Sequence, residues 1–189
     1  MLRRDAAFVV RCRMTEETHQ YITDDVRAMI GLESDILVSC DLVSETEIRR
    51  FFQAVMDPAP RYWNESWAKD SRYQGIVAPP AYPVHGFRRS PTAPDPLDKM
   101  ADPDFDGFDP PPGLPPVPIP FVRMLNGGYD YTFYRNAKPG ERLCQQSRYK
   151  DIYQREGRSG PLIIILVESR YFTDTEARLL DVVWTNIYR

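Results

Sequence analysis

Histidine is scarce in this chain: His19 and His85 are the only two among 189 residues. A metal centre built from imidazoles is therefore not expected. Cysteine is sparse as well, and Cys12, Cys40 and Cys144 stand far apart. Their number is odd and no C-x-x-C pair exists, so neither a disulfide framework nor a zinc site is indicated. Neither a metal nor a cofactor is expected. There is no excess of basic charge. The formal net charge is −3, which argues against a nucleic-acid partner. No apolar run approaches the ~20 residues of a membrane helix. Arginines precede Ala6-Ala7-Phe8-Val9-Val10, but that run is too short for a secretory signal. The expectation is a reduced, cytoplasmic protein that binds neither nucleic acid nor membrane.

Proline, by contrast, is abundant in one place. Fourteen of the eighteen prolines fall between Pro79 and Pro120, and six aspartates face one lysine between Asp95 and Asp109. Such a segment forms neither a long helix nor a sheet interior. It is either a solvated insertion or an ordered lid or partner-docking strap. Elsewhere the hydrophobic content, 42% overall, is enough for one core. The expected organisation is an N-terminal arm over residues 1–21 and a single domain over 22–189, with the Pro- and Asp-rich insertion at about 89–120. No internal repeat is present, so a tandem pair of domains is not encoded.

Local signals place the elements. Asp24 to Gly31 reads as a short helix with acids in its first turn and glycine at its end. Ile36 to Val43 reads as a strand. Ser44-Glu45-Thr46-Glu47 is a capping-box pattern, and Ile48, Phe51, Phe52 and Val55 follow at helical spacing. Beyond Pro120 come Asn126–Tyr134, Arg142–Gln154, Pro161–Phe172 and Leu179–Tyr188, read as strands. Turns at Lys138-Pro139-Gly140-Glu141 and Gly157-Arg158-Ser159-Gly160 separate the first three, which suggests an antiparallel meander. A helix followed by such strands is α+β.

The rest is organised around the stretch from Ala54 to Pro80. The helix that begins at Ser44 runs into Asp57, and Pro58 and Pro60 break it. The chain restarts at Asn64, a good N-cap. A carboxylate is left on a stiff loop with aromatics beside it. This window resembles the MaoC-like dehydratases and (R)-specific enoyl-CoA hydratases, whose signature is G-D-x-N-P-x-H. Asp57 matches the Asp and Pro60 the Pro. Ala59 stands in the place of the Asn and Tyr62 in the place of the His. The family's A-H-G at the start of its central helix corresponds to Ala78-Pro79-Pro80. The likeness is closer to the N-terminal-domain group, the FAS1-like dehydratases, which show D-P-N-P-x-Y and G-x-V-A-P-P. It covers about Ile22 to Arg189.

The resemblance implies a hot-dog fold, an antiparallel sheet wrapped around a central helix. Only Ala81 to Arg88 is free to form that helix, so it is shortened. It also implies an acyl-CoA thioester as substrate, with no separate cofactor. Asp57 and Tyr62 become the catalytic positions. Tyr73, Gly75, Ile76, Val77 and Ala78 become the substrate-binding segment. Arg148, Lys150, Arg155 and Arg158 are the cations expected to hold phosphates; the window from Arg135 to Arg158 carries seven Lys and Arg against three acids. Tyr129, Tyr131 and Phe133 read as core and dimer interface.

Hydration of an enoyl thioester needs a base, an acid and donors to the thioester oxygen. A tyrosine, with an unperturbed pKa of about 10, is a poor base near neutrality. Pro80 has no N–H to donate. The expectation is the substrate-binding, non-catalytic half of a heteromeric hydratase for a bulky or long acyl-CoA, as in fatty-acid or steroid β-oxidation, paired with a MaoC-like catalytic subunit. A homodimer is the alternative assembly. Two other functions stay open: an active hydratase using Asp57 with His85 recruited to the site, and a scaffold docking a thiolase-like enzyme. A hot-dog thioesterase would want an acid on the central helix, and none occurs between Ile76 and Arg89.

Overall fold

The computed structural model describes residues 20–87, 98, 100, 101, 103, 113–121 and 123–189. The expected arm, apart from its last two residues, and most of the Pro- and Asp-rich insertion lie outside the described residues. In chain order the elements are α1 (Asp24–Ala28), β1 (Leu37–Leu42), α2 (Glu45–Ala54), a 3-10 turn (Pro60–Tyr62), α3 (Glu65–Asp70), α4 (Tyr82–His85), β2 (Met124–Phe133), β3 (Arg142–Gly157), β4 (Gly160–Thr173) and β5 (Arg178–Tyr188). The class is α+β.

Capping fixes where the helices start. The Ser44 hydroxyl accepts the Glu47 N–H at 3.2 Å, and the Asn64 side chain accepts the Trp67 N–H at 3.0 Å. Each satisfies a donor that the first helical turn leaves open. α2 ends in a Schellman arrangement. The Met56 N–H meets the Gln53 carbonyl at 3.2 Å and the Asp57 N–H meets the Phe52 carbonyl at 3.0 Å. Met56 takes the left-handed conformation, φ 56°, where glycine is usual. That turn swings Asp57 off the helix axis.

All sheet pairings are antiparallel, in the order β1-β3-β4-β5-β2. The expected simple meander needs correction. β3, β4 and β5 form one, but β2 pairs with β5 at the far edge, Met124 opposite Tyr188 and Phe133 opposite Leu180. The turn at Lys138–Glu141 therefore belongs to a crossover, not a hairpin. Turn chemistry is local, whereas the neighbour of a strand is decided by which faces match across the sheet. The crossover is tied down on the way: the Ala137 carbonyl accepts the Ala78 N–H at 2.8 Å.

The core divides in two. One cluster gathers Val43, Ile48, Phe52, Tyr62, Val77, Tyr82, Leu143, Tyr171 and Leu180. The other gathers Ile22, Val26, Leu114, Tyr149, Ile152, Ile163, Ile165 and Val167. Leu114, at the C-terminal end of the insertion, is buried there, and the Tyr149 hydroxyl donates to the Pro115 carbonyl at 2.7 Å. This end of the insertion is packed against the sheet. The short helix α4 has four residues. It lies where the central helix was expected, with Tyr82 and Pro83 buried.

Ile48 joins α2 to the first cluster and is fully buried. Ile48→Ala should cost about 2–5 kcal/mol through lost burial and a cavity. Urea unfolding measures it, and a loss below about 1 kcal/mol would show that α2 is not anchored there.

Candidate functional site

Pro60 opens the 3-10 turn, and Tyr62 closes it facing inward. The Tyr62 ring stacks on Phe52 with centroids 6.0 Å apart, and the residue is only 2% exposed. Its hydroxyl stays near two charged side chains. Arg61 Nη2 donates to it at 2.7 Å, and it donates to Asp57 Oδ2 at 3.2 Å. The Arg61 guanidinium also lies 4.6 Å from the ring centroid and 3.8 Å from Asp57 Oδ2. Guanidinium has no acceptor, so the hydroxyl must accept from Arg61 and its single proton goes to Asp57.

Burial pushes the Tyr62 phenol above its ordinary value, and the Asp57 carboxylate adds to that, against the opposing pull of Arg61. The phenol is a proton donor at neutral pH. The Asp57 side chain is 46% exposed, so the row runs from the core to the surface. The structure brings Asp57 and Tyr62, the two positions named by the resemblance, into contact. Arg61, the third member, was missed; its place directly before Tyr62 was the only signal.

The segment after the loop is built into the core. Gly75 has φ +144°, a conformation that L side chains rarely adopt. Tyr73 is half-buried, and its hydroxyl accepts from Arg72 at 2.8 Å. Ile76, Val77 and Ala78 are buried. The Val77 N–H donates to the Arg61 carbonyl at 3.2 Å. The Ala78 carbonyl accepts from Asn136 Nδ2 at 2.7 Å. With its N–H on Ala137, both backbone groups of Ala78 are engaged. Pro79 and Pro80 then lead into α4. His85 is exposed at the end of α4, its ring 5.4 Å from that of Phe51.

The expected phosphate cations do not converge. Arg148 Nη2 and Lys150 Nζ both pair with Glu168, at 2.6 and 3.2 Å. Burial works to raise the Glu168 carboxyl, but hydrogen bonds from Lys150 and Arg148 outweigh it and hold it below its ordinary value. Arg155 stacks over Tyr153 at 5.2 Å, and Arg158 sits exposed in the β3–β4 turn. From Arg148 to Arg158 a strand rises roughly 30 Å. Tyr129, Tyr131 and Phe133, read as core and interface, are exposed on the edge strand β2, at 47%, 39% and 52%.

Among the described residues, no group of three or more His, Cys, Asp or Glu is placed to hold a metal ion. Among them, too, no helix is long and apolar enough to cross a membrane.

The profile of the "FAS1-like, dehydratase domain region" family matches residues 28–182. The chain belongs to the FAS1-like dehydratase family. A relative from Thermobifida fusca (strain YX), described as "UPF0336 protein", is 38% identical over 114 residues, 58% of this chain and 61% of the relative. The match thus spans under two thirds of that relative's length. Among solved structures, the ChsH1-ChsH2 complex from Mycobacterium tuberculosis is similar at TM-score 0.66 and 16% identity, covering 86% of this chain and 88% of the other. The (R)-hydratase from A. caviae is similar at TM-score 0.53 and 10% identity, covering 83% and 94%. The HadBC 3R-hydroxyacyl-ACP dehydratase complex, also from M. tuberculosis, is similar at TM-score 0.52 and 18% identity, covering 82% and 95%. At these identities the likeness is one of fold. Together with the five-stranded antiparallel sheet it makes this FAS1-like dehydratase domain a hot-dog.

Tyr62→Phe removes the bridge and leaves Asp57 and Arg61 in place. It should cost about 1–2 kcal/mol of stability, since bonds to charged partners are involved and both partners reach water. Unfolding in urea tests this. Undiminished stability would mean that the bridge does not hold the loop.

Proposed function

We propose that this chain is the non-catalytic, substrate-binding half of a two-chain MaoC-like enoyl-CoA hydratase or 3-hydroxyacyl-CoA dehydratase. The observation that carries the reading is the Tyr62 hydroxyl, held between Arg61 and Asp57 where the MaoC-like signature G-D-x-N-P-x-H has its histidine. A histidine there would pass a proton to and from water. A buried phenol that already donates to Asp57 does not. Pro80, where the A-H-G of the MaoC-like hydratases offers its oxyanion donor, removes the second part of the machinery. Losing an acid–base partner costs roughly 10²–10⁴ in rate and losing an oxyanion donor roughly 10²–10³. The sum is about 5–9 kcal/mol of transition-state stabilisation.

The other half of the reading is positive. The chain keeps the loop, the packed segment Ile76–Ala78 and the sheet, which form a wall for an acyl-CoA held with a MaoC-like partner that carries the intact Asp and His. Tyr73 and Gly75 lie at the entrance to that wall. A cleft of about 730 Å³ opens beside α4, with charged residues such as Asp41, Glu47 and Arg142 around Leu42, Tyr82 and Gly86. The shortness of α4, rather than this charged cleft, is what supports a bulky or long acyl group. The exposed aromatic edge of β2, with Tyr131 stacked on Phe133 at 5.6 Å, supports a partner chain there. The cytoplasm is the compartment in which such a thioester would be met.

The purified chain alone should show no measurable hydration across a panel of short, long and sterol-like enoyl-CoA thioesters. Addition of a MaoC-like partner should bring turnover. Robust hydration by the chain alone, lost in Asp57→Asn, would establish instead an active enzyme using Asp57.

A further inference from the structure

A row of arginines crosses the sheet at the end remote from Asp57. The registers Ile163–Tyr188 and Met124–Tyr188 set Leu162, Arg189 and Arg123 side by side one residue further along. The Arg189 N–H donates to the Arg123 carbonyl at 3.1 Å, which closes that step. Arg155 pairs with Leu162 from the other side. Side chains in one cross-strand row share a face, so the row reads Arg155, Leu162, Arg189, Arg123. The next row on that face is Tyr153, Ile164, Ile187, Leu125, and the Arg155 guanidinium leans over Tyr153. Arg158 stands in the turn just beyond.

All four arginines are exposed. Among the described residues none of them meets a carboxylate at ion-pair distance. Glu156 pairs with Pro161 and belongs to the alternate, opposite-facing set. Like charges side by side on neighbouring strands repel, and Arg123 and Arg189 are such a pair. An anion between them removes the repulsion. A cleft of about 420 Å³ opens at this place, lined by Phe121, Arg123, Ser159, Pro161, Leu162 and Arg189. Its size suits a small molecule. Guanidinium forks match phosphate oxygens, while Leu162 in the same row offers apolar surface.

We propose that this corner binds the phosphate groups of a small phosphorylated ligand, with Arg123 and Arg189 as the principal contacts and Arg158 at the rim. The site is separate from the Asp57 loop. Tyr62 packs near Leu180, and from there β5 rises about 26 Å to Tyr188. The proposal therefore stands or falls independently of the hydratase reading.

Calorimetric titration of the full chain at low salt, with inorganic pyrophosphate and with adenosine 3′,5′-bisphosphate, tests it. Saturable binding of both with equal affinity supports a site for phosphate alone; tighter binding of the bisphosphate supports a nucleotide site. Arg123→Glu combined with Arg189→Glu should weaken either by at least about tenfold, and added salt should weaken the wild type. Arg158→Gln, in an exposed turn, should weaken binding by about threefold even if the double variant folds poorly. Arg50→Gln, on α2, should leave the affinity within about twofold, since it carries no contact to this corner. No saturable binding of either probe by the wild type, or undiminished affinity in Arg158→Gln and the double variant, overturns the proposal.

Discussion

A buried phenol holds the loop on which the candidate site is built. Tyr62 packs its ring in the core and leaves one hydroxyl to serve two charges. Burying that oxygen without partners would cost about 1–3 kcal/mol, so the loop must bring Arg61 and Asp57 to it. Arg61 in turn offers its carbonyl to Val77. The loop, the segment that follows it and the crossover at Asn136-Ala137 are thereby one connected unit. Its proton order is fixed from guanidinium to phenol to carboxylate.

On the proposed function, that order is what separates the chain from a self-sufficient hydratase. A catalytic Asp–His pair works because the imidazole exchanges protons near neutral pH. A phenol raised by burial does not. On that proposed reading, the same geometry that stabilises the loop takes the acid–base chemistry from it. The structure shows a half-exposed Asp57 carboxylate, the buried residues Ile76, Val77 and Ala78, a helix of a single turn and exposed aromatics along β2. On the proposed function these features serve a subunit that contains a thioester rather than converts it.

Much of this was legible because it is local. The caps at Ser44 and Asn64, the break at Pro58 and Pro60, and the closeness of Asp57 and Tyr62 all lie within a few residues of their cause. The strand segments could also be read from their β-branched and aromatic runs. Their order could not. β2 reaches β5 across the whole sheet, and nothing at Lys138-Pro139-Gly140 distinguishes a crossover from a hairpin. The pairing of Arg148 and Lys150 with Glu168 was hidden for the same reason. Glu168 is twenty positions from Arg148, and only the register of β3 against β4 sets it opposite. Arg123 and Arg189, 66 positions apart by number, become neighbours only through β5 and β2.

The central claim is that Asp57 no longer performs catalysis. It is tested most directly by the turnover of a two-chain complex assembled with Asp57→Asn in this chain. Asn keeps the size of the side chain and an oxygen for Tyr62 to donate to, so the loop should stay folded. The account predicts that kcat for enoyl-CoA hydration stays within about threefold of the wild-type complex, far from the roughly 10²–10⁴ loss of a working acid–base group. A loss of that larger size, in a complex that assembles normally, would contradict it.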